Sequence, residues 1–95
     1  MDTRIIGSST PVRNVRVRRR RGEEGAVLIF ANHYWVLDAF SDVLWRRCTG
    51  KATVAEIIRA MAEELGSSED LVTNTLLILG RFEDAGLLAV SDGAN

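Results

Sequence analysis

The sequence predicts a small α+β domain of winged-helix-like architecture, in which a three-stranded antiparallel sheet is followed by three helices. Three observations support this prediction. Short β-prone runs separated by turn residues occupy residues 15–38. Three apolar patterns with helical spacing follow, each with its own start or stop signal. The chain has 95 residues, enough for one hydrophobic core.

The predicted strands begin in VRNVRVRRRR (12–21), where valine alternates with arginine as in a strand with one solvated face. The segment GEEG (22–25) predicts a turn. The apolar run AVLIFA (26–31) is short for a helix and therefore predicts a strand. Asn32 is a good turn residue, and YWVL (34–37) is a further β-prone run. Together these segments predict a meander with short connections.

The first two helices are predicted from their ends. Asp38 is a suitable N-cap because its side chain can accept from the free amides of the following turn, and Gly50 is expected to end that helix. Thr53 and Glu56 form the T-x-x-E pattern of a capping box, which predicts the start of the second helix. Gly66 is expected to stop it.

The third helix is predicted to start after Ser67 as N-cap and to close at Gly86. One face of this helix is apolar enough to pack on a core, with the contacts supplied by Leu71, Thr75, Ile78, Leu79 and Phe82. We expect the domain to span residues 13–90, between a flexible N-terminal tail (1–12) and a C-terminal tail (91–95).

The composition favours a cytoplasmic protein. No apolar run is long enough to span a membrane, and the first residues lack the apolar centre of a signal peptide. Cys48 is the single cysteine, so no internal disulfide is possible, which fits a reducing compartment. We expect Cys48 to be buried rather than reactive, since a nucleophilic cysteine needs a base to activate it.

The sequence offers little for catalysis. His33 is the one histidine, so it has no second histidine with which to share a metal. Pairs of neighbouring acids lie in a turn or at helix ends, where solvation or capping explains them. Neither of the common glycine-rich phosphate-binding patterns occurs. We therefore expect no enzyme activity, no cofactor and no metal site.

The arginine run leaves three interpretations open. Residues 1–21 carry a net charge of +6 and residues 22–95 one of −7. The run could be the solvated face of a strand, a contact to an acidic partner through Arg16, Arg18 and Arg20, or a nucleic-acid site. The third helix argues against DNA, because four of its seven polar exposed positions are acids, namely Glu69, Asp70, Glu83 and Asp84.

Two segments carry more apolar surface than a two-layer domain requires. On the third helix, Val72 and Leu76 fall beside the core stripe and Leu77 falls on its other side. Ordinary core packing is the alternative explanation for this surplus.

The run YWVL has the same surplus. Alternation places Trp35 and Leu37 on one face, expected to meet the helices, and Tyr34 and Val36 on the other. It is also the last strand of the meander and carries neither charge nor proline. Natural proteins usually protect such edges, and an unprotected edge can accept an added strand.

Over about residues 13–90, the sequence resembles the PqqD-like family, whose members are also called RiPP recognition elements. The resemblance is carried by AVLIFANHYWVLD (26–38), DAFSDVLWRRC (38–48), GKATVAEII (50–58) and ILGRFEDAGLL (78–88). Phe82 stands where the family often has leucine, and Asp38 where it often has asparagine. Neither change threatens the fold, and the arginine run is not a family hallmark.

The resemblance implies a small non-catalytic domain that binds the leader of a ribosomally made precursor peptide by strand addition to the third strand. The leader's apolar side chains would enter a cleft between that strand and the third helix. Its partners would be the precursor and a separately encoded modifying enzyme or leader peptidase, as in lasso-peptide or quinone-cofactor pathways. Combined with the apolar surplus, this assigns peptide binding to Tyr34, Trp35, Val36, Leu37, Val72, Leu76, Leu77 and Gly80. The rival interpretation is a winged-helix nucleic-acid binder that uses the arginine cluster.

Overall fold

The computed structural model describes residues 7–23 and 25–91. Within them it contains a three-stranded sheet, a two-stranded ribbon and three helices, which confirms the predicted α+β class. The elements in chain order are β1 (Thr10–Arg13), β2 (Arg18–Arg21), β3 (Ala26–Phe30), β4 (His33–Leu37), α1 (Ala39–Arg47), α2 (Val54–Leu65), α3 (Leu71–Asp84) and β5 (Leu88–Ser91).

The meander β2–β3–β4 is antiparallel throughout, with β3 in the centre. Ala31 and Asn32 connect β3 to β4 with φ values of 54° and 65°. Positive φ at both central residues is the mark of a type I′ turn, which suits the twist of a hairpin. The third strand of the predicted meander is therefore β4.

The first strand of the meander starts later than predicted, at Arg18 rather than Val15. The side chain of Asn14 accepts from the amide of Arg16 at 2.9 Å, and its carbonyl accepts from the amide of Val17 at 3.1 Å. These local bonds form a turn, as asparagine side chains often do. Val15 is consequently 96% exposed.

The expected tails are incorrect where they overlap β1 and β5. These strands pair antiparallel, with Pro11 opposite Val90, and Pro11 is buried. Neither segment has a strong pattern of its own. β5 holds β1 from the far end of the chain, and Gly50 adds a bond of 2.9 Å from its amide to the carbonyl of Pro11. The rest of the two predicted tails, residues 1–6 and 92–95, lies outside the described residues.

The predicted starts of α1 and α2 are confirmed. Asp38 accepts from the amide of Ser41 at 2.8 Å. Thr53 and Glu56 form a complete capping box, with reciprocal bonds of 2.8 and 3.2 Å. Gly66 closes α2 with a φ of 90°, a value that favours glycine.

Two helix ends differ from the prediction. Helix α1 ends at Arg47, before Gly50, because the amide of Cys48 bonds back to the carbonyl of Trp45. The N-cap of α3 is Asp70 and not Ser67, since residues 68–71 form a separate turn first, in which the amide of Leu71 donates to the carbonyl of Ser68 at 3.3 Å. Gly86 follows α3 with a φ of 78°, as expected for a terminating glycine.

The core lies between the inner face of the meander and the three helices. Leu28 from β3, Leu44 from α1 and Leu79 from α3 are fully buried there. The rings of Trp45 and Phe82 meet edge to face at 5.6 Å between centroids, joining α1 to α3. Of the helices in residues 7–23 and 25–91, none is long and apolar enough to cross a membrane.

Candidate functional site

An open groove of about 480 Å³ runs between β4 and α3. Residues 34–37 of β4 form one wall. Ile78, Arg81 and Phe82 of α3 form the other, and Ser41 and Leu87 complete the lining. β4 is an outermost strand of its sheet and pairs only with β3, so no strand of the described residues fills the space between β4 and α3.

Two residues of β4 have backbone N–H and C=O groups that point away from β3. The two-residue turn makes Phe30 and His33 the hydrogen-bonded pair that closes the hairpin, and bonded and non-bonded pairs then alternate. Tyr34 and Val36 fall in the non-bonded pairs, so their N–H and C=O groups point to the open edge. Across the described part of the chain, no other segment forms a backbone hydrogen bond to them.

The side chains of β4 divide between the two faces as the alternation predicts. Leu37 is buried and Trp35 is half-buried against the core. Tyr34 and Val36 remain 71% and 83% exposed. Leu37 and Trp35 therefore hold the strand on the helices. The backbone of Tyr34 and Val36 lies open to solvent.

The surplus residues predicted on α3 do not line this groove. Val72 and Leu77 are about half exposed, and Leu76 is half-buried. At about 100° per residue, Val72 and Leu76 lie on the flank of the buried stripe opposite to Ile78. A Cβ atom added at Gly80 would meet no atom within 4 Å, so no close approach requires this glycine.

The groove residues that the sequence prediction did not name for peptide binding are Ile78, Arg81 and Phe82. Helical spacing places Ile78 and Phe82 in the core stripe, and Arg81 is one of the seven polar exposed positions of the predicted helix. Helical periodicity identifies the core stripe of α3, but it does not tell which flank of that stripe faces β4. Only the direction in which α3 crosses the domain settles this point.

The two side chains considered for catalysis, His33 and Cys48, are not among the residues that line the groove. His33 is exposed, and its Nδ1 lies 2.8 Å from the carbonyl of Ala31. Cys48 is buried in the core, where its thiol donates to the carbonyl of Leu44 and burial raises its pKa to about 12. In the described ranges, no three His, Cys, Asp or Glu residues cluster as metal ligands would.

The arginines of β2 divide between two environments. Arg19 points inward and donates two hydrogen bonds of 2.7 Å to the carboxylate of Asp42 on α1. These bonds hold the pKa of Asp42 below its ordinary value, against the opposing effect of burial, and raise the pKa of Arg19. Arg46 adds a longer contact of 3.5 Å to the same carboxylate.

The three arginines predicted to meet an acidic partner are exposed. Arg18 and Arg20 project from the opposite face of β2 to Arg19, whereas Arg16 lies in the preceding turn. None of them forms an ion pair with another described residue. Their charge is therefore available to a partner.

A family model described as "Coenzyme PQQ synthesis protein D (PqqD)" matches residues 20–88, from β2 to the start of β5. No curated protein and no solved structure matches the chain.

Proposed function

Because the chain belongs to the PqqD family of RiPP recognition domains, we propose that it binds the leader of a ribosomally made precursor peptide by strand addition to β4. It then presents the precursor to a separate modifying enzyme or leader peptidase. Members of this family are non-catalytic domains that bind precursor peptides and partner enzymes. We place the complex in the cytoplasm, where the precursor is made.

The observation that carries this proposal is the free backbone of Tyr34 and Val36 beside an apolar groove. An extended peptide laid along β4 would satisfy these groups with regular sheet hydrogen bonds. Backbone bonds of this kind fix the register of the peptide and are independent of its sequence. Specificity would then come from its side chains.

The groove sets the side-chain chemistry of the bound strand. Successive residues of an added strand point to opposite faces, so every second side chain would enter the groove. Ile78 and Phe82 favour apolar side chains at those positions. Arg81 is exposed and forms no ion pair with the other described residues, so it favours an acidic leader residue close to the apolar ones.

A proline scan of the two sheet edges tests the proposal. Val36→Pro removes a free N–H from the edge that would accept the leader. We expect its affinity for the leader to fall about thirtyfold, the effect of about 2 kcal/mol for a central contact. The leader is taken from the short precursor gene beside the gene for this chain, and its affinity is measured by calorimetry.

Arg21→Pro is the matched control, because Arg21 occupies the equivalent outward-facing position on β2 at the other edge of the sheet. Its leader affinity should stay within about twofold of the unmodified chain, as expected for a residue outside the binding site. Circular dichroism verifies that both variants fold. Equal affinities for a folded Val36→Pro variant and the control would refute strand addition at β4.

A further inference from the structure

The face of the meander that points away from the helices is not covered by any described element. Alternation along the three strands brings six side chains to this outer face. They form two cross-strand rows, Arg18–Ile29–Tyr34 and Arg20–Val27–Val36. The arginines, Tyr34 and Val36 are exposed, and the two β3 residues between them are half-buried. The outer face is therefore basic along β2 and apolar along β3 and β4.

A concavity of about 550 Å³ opens at one end of the outer face, between Val27, Val36 and the turn that joins β2 to β3. Gly25 packs very closely there, because a Cβ atom on it would clash with the carbonyl oxygen of Leu37. Only glycine allows this approach. The outer face thus has a shaped apolar recess as well as charge.

The charges at the recess differ from those along β2. Glu23 and Asp38 line the recess beside its apolar residues, and Asp38 is already engaged as the N-cap of α1. Arg18 and Arg20 have no acidic partner among the described residues, unlike Arg19. A complementary surface would therefore place carboxylates over β2 and an uncharged apolar or aromatic side chain in the recess.

We propose that the outer face docks the processing enzyme, through an acidic surface of that enzyme which carries an apolar anchor. This inference rests on the proposed function, since a leader strand added to β4 would lie at the border of the outer face, beside Tyr34 and Val36. The docked enzyme would then contact the presented peptide directly. Phosphates would neutralise the arginines of this face but would leave Val27, Ile29 and Val36 without apolar partners, so the face favours protein over nucleic acid.

A defined probe tests the outer face: a random copolymer of glutamate and tyrosine, which offers carboxylates and aromatic anchors. Its affinity is measured for the full chain, with poly-glutamate and a short DNA duplex as comparison ligands. We expect the copolymer to bind more tightly than either. The double variant R18Q/R20Q should weaken it about fivefold, because exposed ion pairs contribute modestly.

The matched control is K51Q/R59Q, which removes the same charge from exposed positions on the helical side of the domain. It should change copolymer affinity by less than about twofold, since distant exposed charges are screened. If both double variants lose the same amount of copolymer affinity, the affinity depends only on net charge, and the proposal is overturned. Tighter binding of DNA than of copolymer, lost in R18Q/R20Q, would overturn it in favour of nucleic acid.

A groove variant separates this proposal from leader binding. Ile78→Thr alters the groove and leaves the outer face intact, so copolymer affinity should not change. Loss of copolymer binding in Ile78→Thr alone would show that the probe occupies the groove, which contradicts docking on the outer face. Conversely, R18Q/R20Q should keep its full leader affinity. Failure of Val36→Pro to affect the leader would refute strand addition without altering the copolymer result.

Discussion

The two edges of the meander have the same backbone geometry and opposite side-chain chemistry. Both β2 and β4 are outermost strands that pair only with β3. By the same alternation, each leaves two residues with outward backbone groups, Arg19 and Arg21 on β2 and Tyr34 and Val36 on β4. Yet β2 consists of four arginines, whereas β4 contains no acid, lysine, arginine or proline.

The difference shows how one sheet can protect one edge and leave the other open. Charged side chains on an edge strand discourage pairing with another chain, because an incoming strand would have to desolvate or oppose them. On β2, Arg19 is also anchored to Asp42, which ties that edge to α1. On β4 the strand itself carries no such charged side chain, and an apolar groove lies directly beside it.

The largest effect is expected in amide hydrogen exchange. In the free protein, Tyr34 and Val36 should exchange about a hundredfold faster than Trp35 and Leu37, because only the latter donate to β3. Exchange followed by NMR measures this directly. Adding the leader should slow Tyr34 and Val36 and leave the outward amides of β2 unchanged. Protection of both edges, or of neither, would remove the distinction between them.

The next largest effect is expected in leader affinity, when residues on and off the groove side of α3 are changed. Ile78→Thr shortens a groove-lining side chain and should weaken leader binding about tenfold. Leu77→Thr is the matched control, since Leu77 is half exposed and does not line the groove. Fluorescence anisotropy with labelled leader measures both. A larger loss for Leu77→Thr would favour the residues assigned from sequence over those of the groove.

A smaller effect is expected at the anchor of the protected edge. Asp42→Asn removes the charge that accepts two hydrogen bonds from Arg19, and should lower the free energy of unfolding by about 1 kcal/mol, because Arg19 is about a third exposed and solvent weakens the pair. Urea denaturation measures this change. A stability equal to that of the unmodified chain would mean that the ion pair does not secure β2.

The same pair gives a pH dependence with a defined sign. The pKa of Asp42 is lower in the folded protein than its ordinary value of 3.8, so the unfolded chain binds this proton more readily. The stabilisation is therefore fully present above about pH 4 and is lost as the pH falls through the folded-state pKa. Below pH 4 the unmodified chain and Asp42→Asn should converge in stability, as urea midpoints would show.

The smallest effect is expected for Arg20→Gln. Arg20 is exposed on β2 and forms no ion pair with another described residue. The free energy of unfolding should change by less than about 0.5 kcal/mol, as is usual at such surface positions. The same urea series measures it. A loss as large as that of Asp42→Asn would show that the β2 arginines stabilise the fold as a group.

Much of the site could be predicted because it depends on local patterns. The alternation in residues 34–37 correctly separated the buried Leu37 and half-buried Trp35 from the exposed Tyr34 and Val36. The α3 wall could not be predicted in the same way. Val72 and Leu76 have the apolar character of a binding surface, but the flank that meets β4 depends on how the whole helix is placed.

Short-range chemistry, read from the sequence alone, determined the class of the fold, the caps at Asp38 and Thr53, the turn at Asn32 and the two-faced character of β4. Each of these depends on residues a few positions apart. The tertiary structure alone decided the β1–β5 ribbon, the pairing of Arg19 with Asp42 and the groove between β4 and α3. Each of these joins segments that are distant along the chain, and only the packing of the core brings them into contact.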